Sequence, residues 1–75
     1  MSSLEISCIG ETCITEHLVK FRNAYNRAKP GEIFILVGDN ELGKKEILKA
    51  AEFMGVEIVE IKDSNNQWTI KFRKG

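Results

Sequence analysis

Residues 30–40 decide the fold of this chain, and they read Pro-Gly-Glu-Ile-Phe-Ile-Leu-Val-Gly-Asp-Asn. The Pro-Gly pair at positions 30–31 ends any helix that precedes it, because proline cannot continue a helix. Residues 33–37 are a continuous apolar run with the length and β-branched content of an interior strand. Asp39 or Asn40 then breaks the strand and caps a following helix. The stretch therefore predicts a helix, a buried strand and a second helix in succession.

Helical periodicity is present on both sides of this strand. Upstream, an apolar stripe with alternating spacings of four and three residues predicts a helix over residues 14–29. Downstream, a second stripe predicts a helix over residues 41–54, and Gly55 suits the left-handed position that ends many helices. Thr12 and Thr15 are the candidate N-caps of the first helix. The two stripes are Ile14, Leu18, Phe21, Tyr25 and Ala28, and Ile47, Leu48, Ala51 and Met54.

Alternating apolar and polar residues predict three further strands. Residues 4–8 alternate at the start of the chain, and residues 68–73 alternate at its end. Between them, the alternation of residues 56–62 slips near Val59 and Glu60, for which a β-bulge is one explanation. Residues 63–66 have turn chemistry, so the last two strands form a hairpin.

These elements predict an α/β (α+β) two-layer sandwich with the order β-α-β-α-β-β. Right-handed crossovers over so few strands place both helices on one face of a four-stranded mixed sheet. Trp68 is in phase with its strand, which favours packing in the core or at the sheet edge over recognition. The expected core comprises Ile6, Leu18, Phe21, Tyr25, Ile33, Ile35, Ile47, Ala51, Ile58, Ile70 and Phe72.

Bulk composition narrows the class of protein. The chain has 75 residues, which fits a single domain over residues 1–75, and its 43% hydrophobic content is ordinary for a globular protein. Eleven basic and eleven acidic residues cancel, whereas nucleic-acid binding favours a basic excess. No run approaches the ~20 apolar residues of a membrane span. Residues 1–5 lack the features of a signal peptide, so we expect a cytoplasmic protein whose two cysteines are reduced.

Taken together, these features resemble the TusA/SirA family over residues 4–75. The most specific stretch is Pro30-Gly31-Glu32 with the aliphatic strand that ends at Asp39. The hallmark of the family is a Cys-Pro-X-Pro motif at the start of the first helix. Residues 13–16 match it as Cys-Ile-Thr-Glu, with the cysteine retained and both prolines absent. Counting from the N-terminal side places the family cysteine on Cys13, and counting back from residue 30 places it on Ile14, so one inserted residue reconciles the two counts.

The resemblance implies a sulfur-relay protein. In the family, the motif cysteine carries sulfur as a persulfide, which it accepts from a donor such as a cysteine desulfurase and passes to an acceptor protein. By this reading Cys13 is the persulfide carrier. The expected partners are proteins, with nucleic acid and membrane disfavoured, and we expect no cofactor and no metal.

The chemistry of the residues fits this role without requiring it. A helix N-terminus favours the thiolate of Cys13, while Glu16 adds an opposing negative charge within about one turn. His17 lies one turn on as a candidate hydrogen-bond partner of the thiol, although a solvated position in the first turn is the simpler interpretation. Thr12, Lys20 and Arg22 are candidates for partner docking.

Several alternatives remain open at this level. Cys8, in phase with its strand, is interpreted as a buried apolar residue, and the same interpretation exists for Cys13. The cysteine spacing also permits a reversible disulfide or, with further ligands, a zinc site. Basic residues of the first helix and last strand form either a docking surface or a solvated face. The competing functions are a non-catalytic protein-binding or regulatory module and, less favoured, an RNA-binding module on the same fold.

Overall fold

The structure is a computed structural model that describes residues 4–75. Residues 1–3 lie outside the described residues. The expectation about a signal peptide rested on residues 1–5 and therefore falls mostly on them. The elements are β1 (Leu4–Cys8), α1 (Ile14–Arg27), β2 (Ile33–Gly38), α2 (Glu41–Met54), β3 (Glu57–Ser64) and β4 (Gln67–Arg73). Their order confirms the predicted β-α-β-α-β-β sandwich.

The sheet brings the ends of several elements together at one edge. Its strand order is β1-β2-β4-β3, with β1 parallel to β2 and the other neighbours antiparallel. Because β1 and β2 are parallel, both helices begin at the same edge of the sheet. The start of β4 lies there too, since Trp68 pairs with Gly38 at the end of β2.

The core lies between the sheet and the two helices. Five residues of the predicted core are fully buried, and Phe34, Leu36 and Trp68 join them. Three aromatic rings, those of Phe21, Phe34 and Phe72, stack and tilt against one another with centroids 5.1–5.9 Å apart. The five confirmed core residues are Phe21, Ile47, Ala51, Ile70 and Phe72.

The prediction chose the wrong face of β2. Phe34 and Leu36 point to the helices and are fully buried, whereas Ile33 and Ile35 are half-buried on the open face. Both alternations of this run are apolar, so periodicity cannot choose between them. The antiparallel register with β4 makes the choice, because it places Phe34 opposite Phe72 and Leu36 opposite Ile70.

Four other expected core residues are less buried than predicted. Ile6 and Tyr25 pack on the core from its margin, and Leu18 is half-buried on α1. Ile58 is exposed, because it lies on edge strand β3, all of whose residues are exposed. The predicted irregularity in β3 is confirmed, since its register with β4 shifts between Ile58 and Glu60.

The helix ends follow the expected chemistry at most positions. Asn40 caps α2, with its side-chain oxygen accepting from the N–H groups of Leu42 and Gly43. Gly55 ends α2 in the left-handed conformation at φ 74°. Helix α1 ends two residues before the predicted boundary, at Arg27, because the chain turns extended at Ala28 as it approaches Pro30. Within residues 4–75, no helix has the length and apolar character needed to cross a membrane.

Candidate functional site around Cys13

The candidate site lies at the sheet edge where both helices begin. The loop between β1 and α1 is tied there to the loop between β2 and α2, because the backbone N–H of Gly10 donates to both carboxylate oxygens of Asp39, at 3.1 and 3.3 Å. Gly10 has φ +80°, a left-handed conformation that favours glycine. This link fixes the loop that carries Cys13 against the start of α2.

Cys13 is the N-cap residue of α1, and it is exposed. Thr12, one of the two candidate N-caps of the sequence, precedes the cap, and Thr15, the other, lies within the first turn; both are exposed. Both candidate N-caps of the sequence are therefore wrong, while α1 begins at Ile14 as predicted. In the described part of the chain no side chain caps α1, so the first-turn N–H groups are open toward a negative charge at this end.

Cys8 differs from Cys13 in its surroundings. It is the last residue of β1 and is fully buried in the core. Burial raises the pKa of the Cys8 thiol, an effect that Lys20 opposes and Glu11 reinforces. Both cysteines are free thiols, and of the two only Cys13 is exposed.

His17 is placed differently from either interpretation of the sequence. It is fully buried rather than solvated, and its Nδ1 lies 2.9 Å from the carbonyl oxygen of Cys13. The ring also packs directly on the backbone of Gly43 in α2 and lies 6.3 Å from the ring of Trp68, between centroids. The observed hydrogen bond thus reaches the backbone of Cys13, and a role of His17 as partner of the thiol stays a prediction.

Glu11 holds the other side of Cys13. Its Oε1 accepts a hydrogen bond from the Cys13 N–H at 3.0 Å, and its Oε2 lies 3.9 Å from Nζ of Lys20. Lys20 also donates to the carbonyl oxygen of Ser7 at 3.2 Å. Lys20 therefore ties α1 to the end of β1, and its predicted role in docking stays untested.

Three carboxylates lie at the same end of the sheet as Cys13. Glu16, Asp39 and Glu41 stand on the first turns and the loop at this edge, and within residues 4–75 none of them forms an ion pair. Lys20 and Lys44 are already paired, Lys20 with Glu11 and Lys44 with Asp63 at 2.7 Å. From these positions we expect a negative potential at the exposed thiol of Cys13, although the whole chain has no net charge.

The predicted basic surface is largely occupied by internal contacts. Arg73 pairs with Glu57 at 3.3 Å, and Lys74 donates to the carbonyl oxygen of Ala28 at 3.0 Å. Arg22 is exposed and lines an apolar groove between α1 and α2. Among residues 4–75 there is no cluster of three or more His, Cys, Asp or Glu side chains that could hold a metal ion.

Comparison with known families connects this geometry to sulfur chemistry. The sequence model of sulfurtransferase TusA matches residues 5–74, which is nearly the whole chain. The chain belongs to the TusA family. The family indicates a role in sulfur transfer or carriage in general, performed together with protein partners.

A solved structure supports the fold independently. The chain is similar to the crystal structure of a SirA-like protein from Desulfitobacterium hafniense, with a TM-score of 0.75 over 96% of this chain and 97% of that one. The sequences are 18% identical, so this likeness concerns the fold alone. A comparison with curated proteins gave no match.

Sequence reasoning missed three residues of this site. Glu11 carries no motif signal, because its bond to the Cys13 N–H depends on a loop conformation. Gly43 did carry one, since an isolated glycine within a helical pattern often marks a close approach of two elements. The third is Asp39, which was interpreted as a cap and instead binds Gly10 in the neighbouring loop.

Proposed function

We propose that the protein is a sulfur relay in which Cys13 carries sulfane sulfur as a persulfide. The Cys13 thiolate attacks the outer sulfur of a donor persulfide, such as that of a cysteine desulfurase. A new S–S bond forms on Cys13 while the S–S bond of the donor breaks, and the cysteine sulfur of the donor leaves as a thiolate. An acceptor thiolate then attacks the outer sulfur on Cys13, so the sulfur moves without any external oxidant or reductant.

The contrast between the two cysteines carries this proposal. Persulfide exchange requires direct contact between the attacking sulfur and the donor, and Cys13 is exposed while Cys8 is fully buried. Burial also raises the pKa of Cys8, which keeps that thiol protonated and weakly nucleophilic. The family match over residues 5–74 supports a role in sulfur transfer in general, and the exposure of Cys13 supports its assignment as the carrier.

The position of Cys13 also suits the charge on a persulfide. A persulfide anion at the N-cap lies next to the first-turn N–H groups of α1, where the helix dipole favours negative charge. Ile14 and Glu16 occupy the places of the motif prolines, so both keep a backbone N–H that proline lacks. The first turn therefore offers more donors than the motif would.

The test is mass spectrometry of the intact protein after incubation with a cysteine desulfurase and cysteine. We expect an adduct of about 32 Da, one sulfur atom, which peptide mapping places on Cys13 and a reducing thiol removes. Cys13→Ser abolishes the adduct. Cys8→Ala is the matched control and keeps it, because the buried cysteine takes no part.

Two results would contradict the proposal. An adduct that maps to Cys8 in the folded protein would show that Cys8, and not Cys13, is the carrier. Failure of Cys13 to accept sulfur from several donors, in protein shown to be folded by circular dichroism, would favour the protein-binding module instead.

A further inference from the structure

We propose that His17 and Glu11 are positioning residues that hold the backbone of Cys13 and thereby aim its thiol. The inference rests on the proposed carrier function of Cys13. A proline directly after the cysteine would restrict the backbone of Cys13, and we assign this restriction to the side chains of His17 and Glu11 instead.

Both main-chain polar groups of Cys13 are bound by side chains. Its N–H donates to Oε1 of Glu11 at 3.0 Å, and its carbonyl oxygen lies 2.9 Å from Nδ1 of His17. A carbonyl oxygen can only accept, so Nδ1 carries the hydrogen and donates. The same oxygen accepts from the backbone N–H of His17 at 3.2 Å, the first hydrogen bond of the helix.

The burial of His17 indicates that this bond is the reason for a histidine at the position. Within the described residues Nε2 is buried without a hydrogen-bond partner, and a buried polar atom without a partner has an energetic cost. A leucine would fill a similar volume without that cost. The ring is also confined, because it lies on the backbone of Gly43 on one side and near Trp68 on another. A confined ring holds its hydrogen bond in one direction.

The conformation held by these bonds is the one that a following proline enforces. Cys13 has φ −86° and ψ 116°, and a residue before proline is restricted to this extended region by steric contact with the proline ring. Ile14 is the first helical residue, a position where proline is favoured because its missing N–H has no intrahelical partner. Side-chain hydrogen bonds and a proline are therefore two ways to fix the same backbone.

The experiment compares three variants at His17 and Glu11 with a proline restored at position 14. We measure the rate of sulfur uptake by Cys13 from cysteine persulfide and the backbone order parameter of the Cys13 amide by NMR. His17→Leu is expected to slow uptake roughly tenfold or more through misplacement of the thiol. The order parameter is expected to fall from about 0.85 to below about 0.6. His17→Asn, whose amide nitrogen takes the place of Nδ1, is expected to stay close to the wild-type values.

The restored proline separates positioning from stability. Ile14→Pro in the His17→Leu background is expected to recover both uptake and order, although the core still lacks the histidine. Glu11→Ala, a change at a half-buried residue of an otherwise exposed loop, is expected to lower both the order parameter and the rate of uptake. It tests the proposal if His17→Leu does not fold.

The outcomes distinguish this inference from the proposed function. A wild-type protein that takes up no sulfur overturns the carrier function, whatever the order parameters are. A wild-type protein that takes up sulfur, with folded His17→Leu and Glu11→Ala variants that match it in rate and order parameter, overturns the positioning role alone. Loss of rate in His17→Leu that Ile14→Pro does not recover also overturns it.

Discussion

Replacing Gly43 by alanine tests the contact between the two helices most directly. A Cβ added at this position would collide with the Cδ2 and Nε2 atoms of His17, and overpacking of this kind costs roughly 1–3 kcal/mol. Alanine is favoured over glycine in a helix by about 0.8–1.0 kcal/mol. The collision therefore outweighs the helical preference, and we expect Gly43→Ala to lower the free energy of unfolding by up to about 2 kcal/mol.

The sign of this effect should reverse when the imidazole is removed. In a His17→Ala background the collision is gone, so Gly43→Ala is expected to raise the free energy of unfolding by up to about 1 kcal/mol through helix propensity alone. The difference between the two backgrounds gives a coupling energy of roughly 1–3 kcal/mol between the residues. Urea denaturation followed by the fluorescence of Trp68, the single and buried tryptophan, measures all four proteins.

A stabilising Gly43→Ala in the wild-type background would refute this reasoning. It would mean that the ring of His17 moves aside at little cost, and that the ring is not confined between α2 and Trp68. Equal effects of Gly43→Ala in both backgrounds would likewise show that residues 17 and 43 are not energetically coupled. Either result would also weaken the positioning role proposed for His17, because a mobile ring cannot hold the carbonyl of Cys13 in one direction.

Three further predictions follow from burial and charge. Phe34→Ala should lower the free energy of unfolding by about 3–5 kcal/mol. Ile35→Ala should lower it by no more than about half as much, because Ile35 is only half-buried. Equal losses in urea denaturation would contradict the assigned face of β2. The raised pKa of Cys8 predicts a contribution to stability that is fully present below about pH 8.5 and is lost as the pH rises toward the folded-state pKa, at up to about 1.4 kcal/mol per pH unit. Denaturation curves from pH 7 to 10 should show this slope in the wild type and lack it in Cys8→Ala, and parallel curves would contradict it. Cys13 should react faster with a cationic than with an anionic methanethiosulfonate reagent, and the ratio of the two rates should exceed the ratio measured for free cysteine. High salt and Glu16→Gln should both lower this ratio. A ratio equal to that of free cysteine would contradict a negative local potential at Cys13.

Much of the candidate site was within reach of the sequence. The match to the family motif placed the key cysteine at the start of the first helix, and the structure exposes Cys13 there. Strand phase predicted that Cys8 points inward, and it is fully buried. The hydrogen bonds that surround Cys13 were out of reach, because Glu11 and His17 meet its backbone only after the loop and the second helix are in place. His17 was interpreted as solvated for the same reason, since its covering residue, Gly43, lies on α2.

The sequence by itself determined the elements of this protein and their order. Helix α2 was predicted with its observed ends, and the irregularity in β3 was located, because periodicity, caps and turn residues are properties of neighbouring positions. Only the tertiary structure decided which face of β2 is buried, since residues 33–37 are apolar on both faces and the choice depends on pairing with Phe72 and Ile70. It also decided the surroundings of Cys13, because contacts between residues distant in the chain leave no periodic pattern in the sequence.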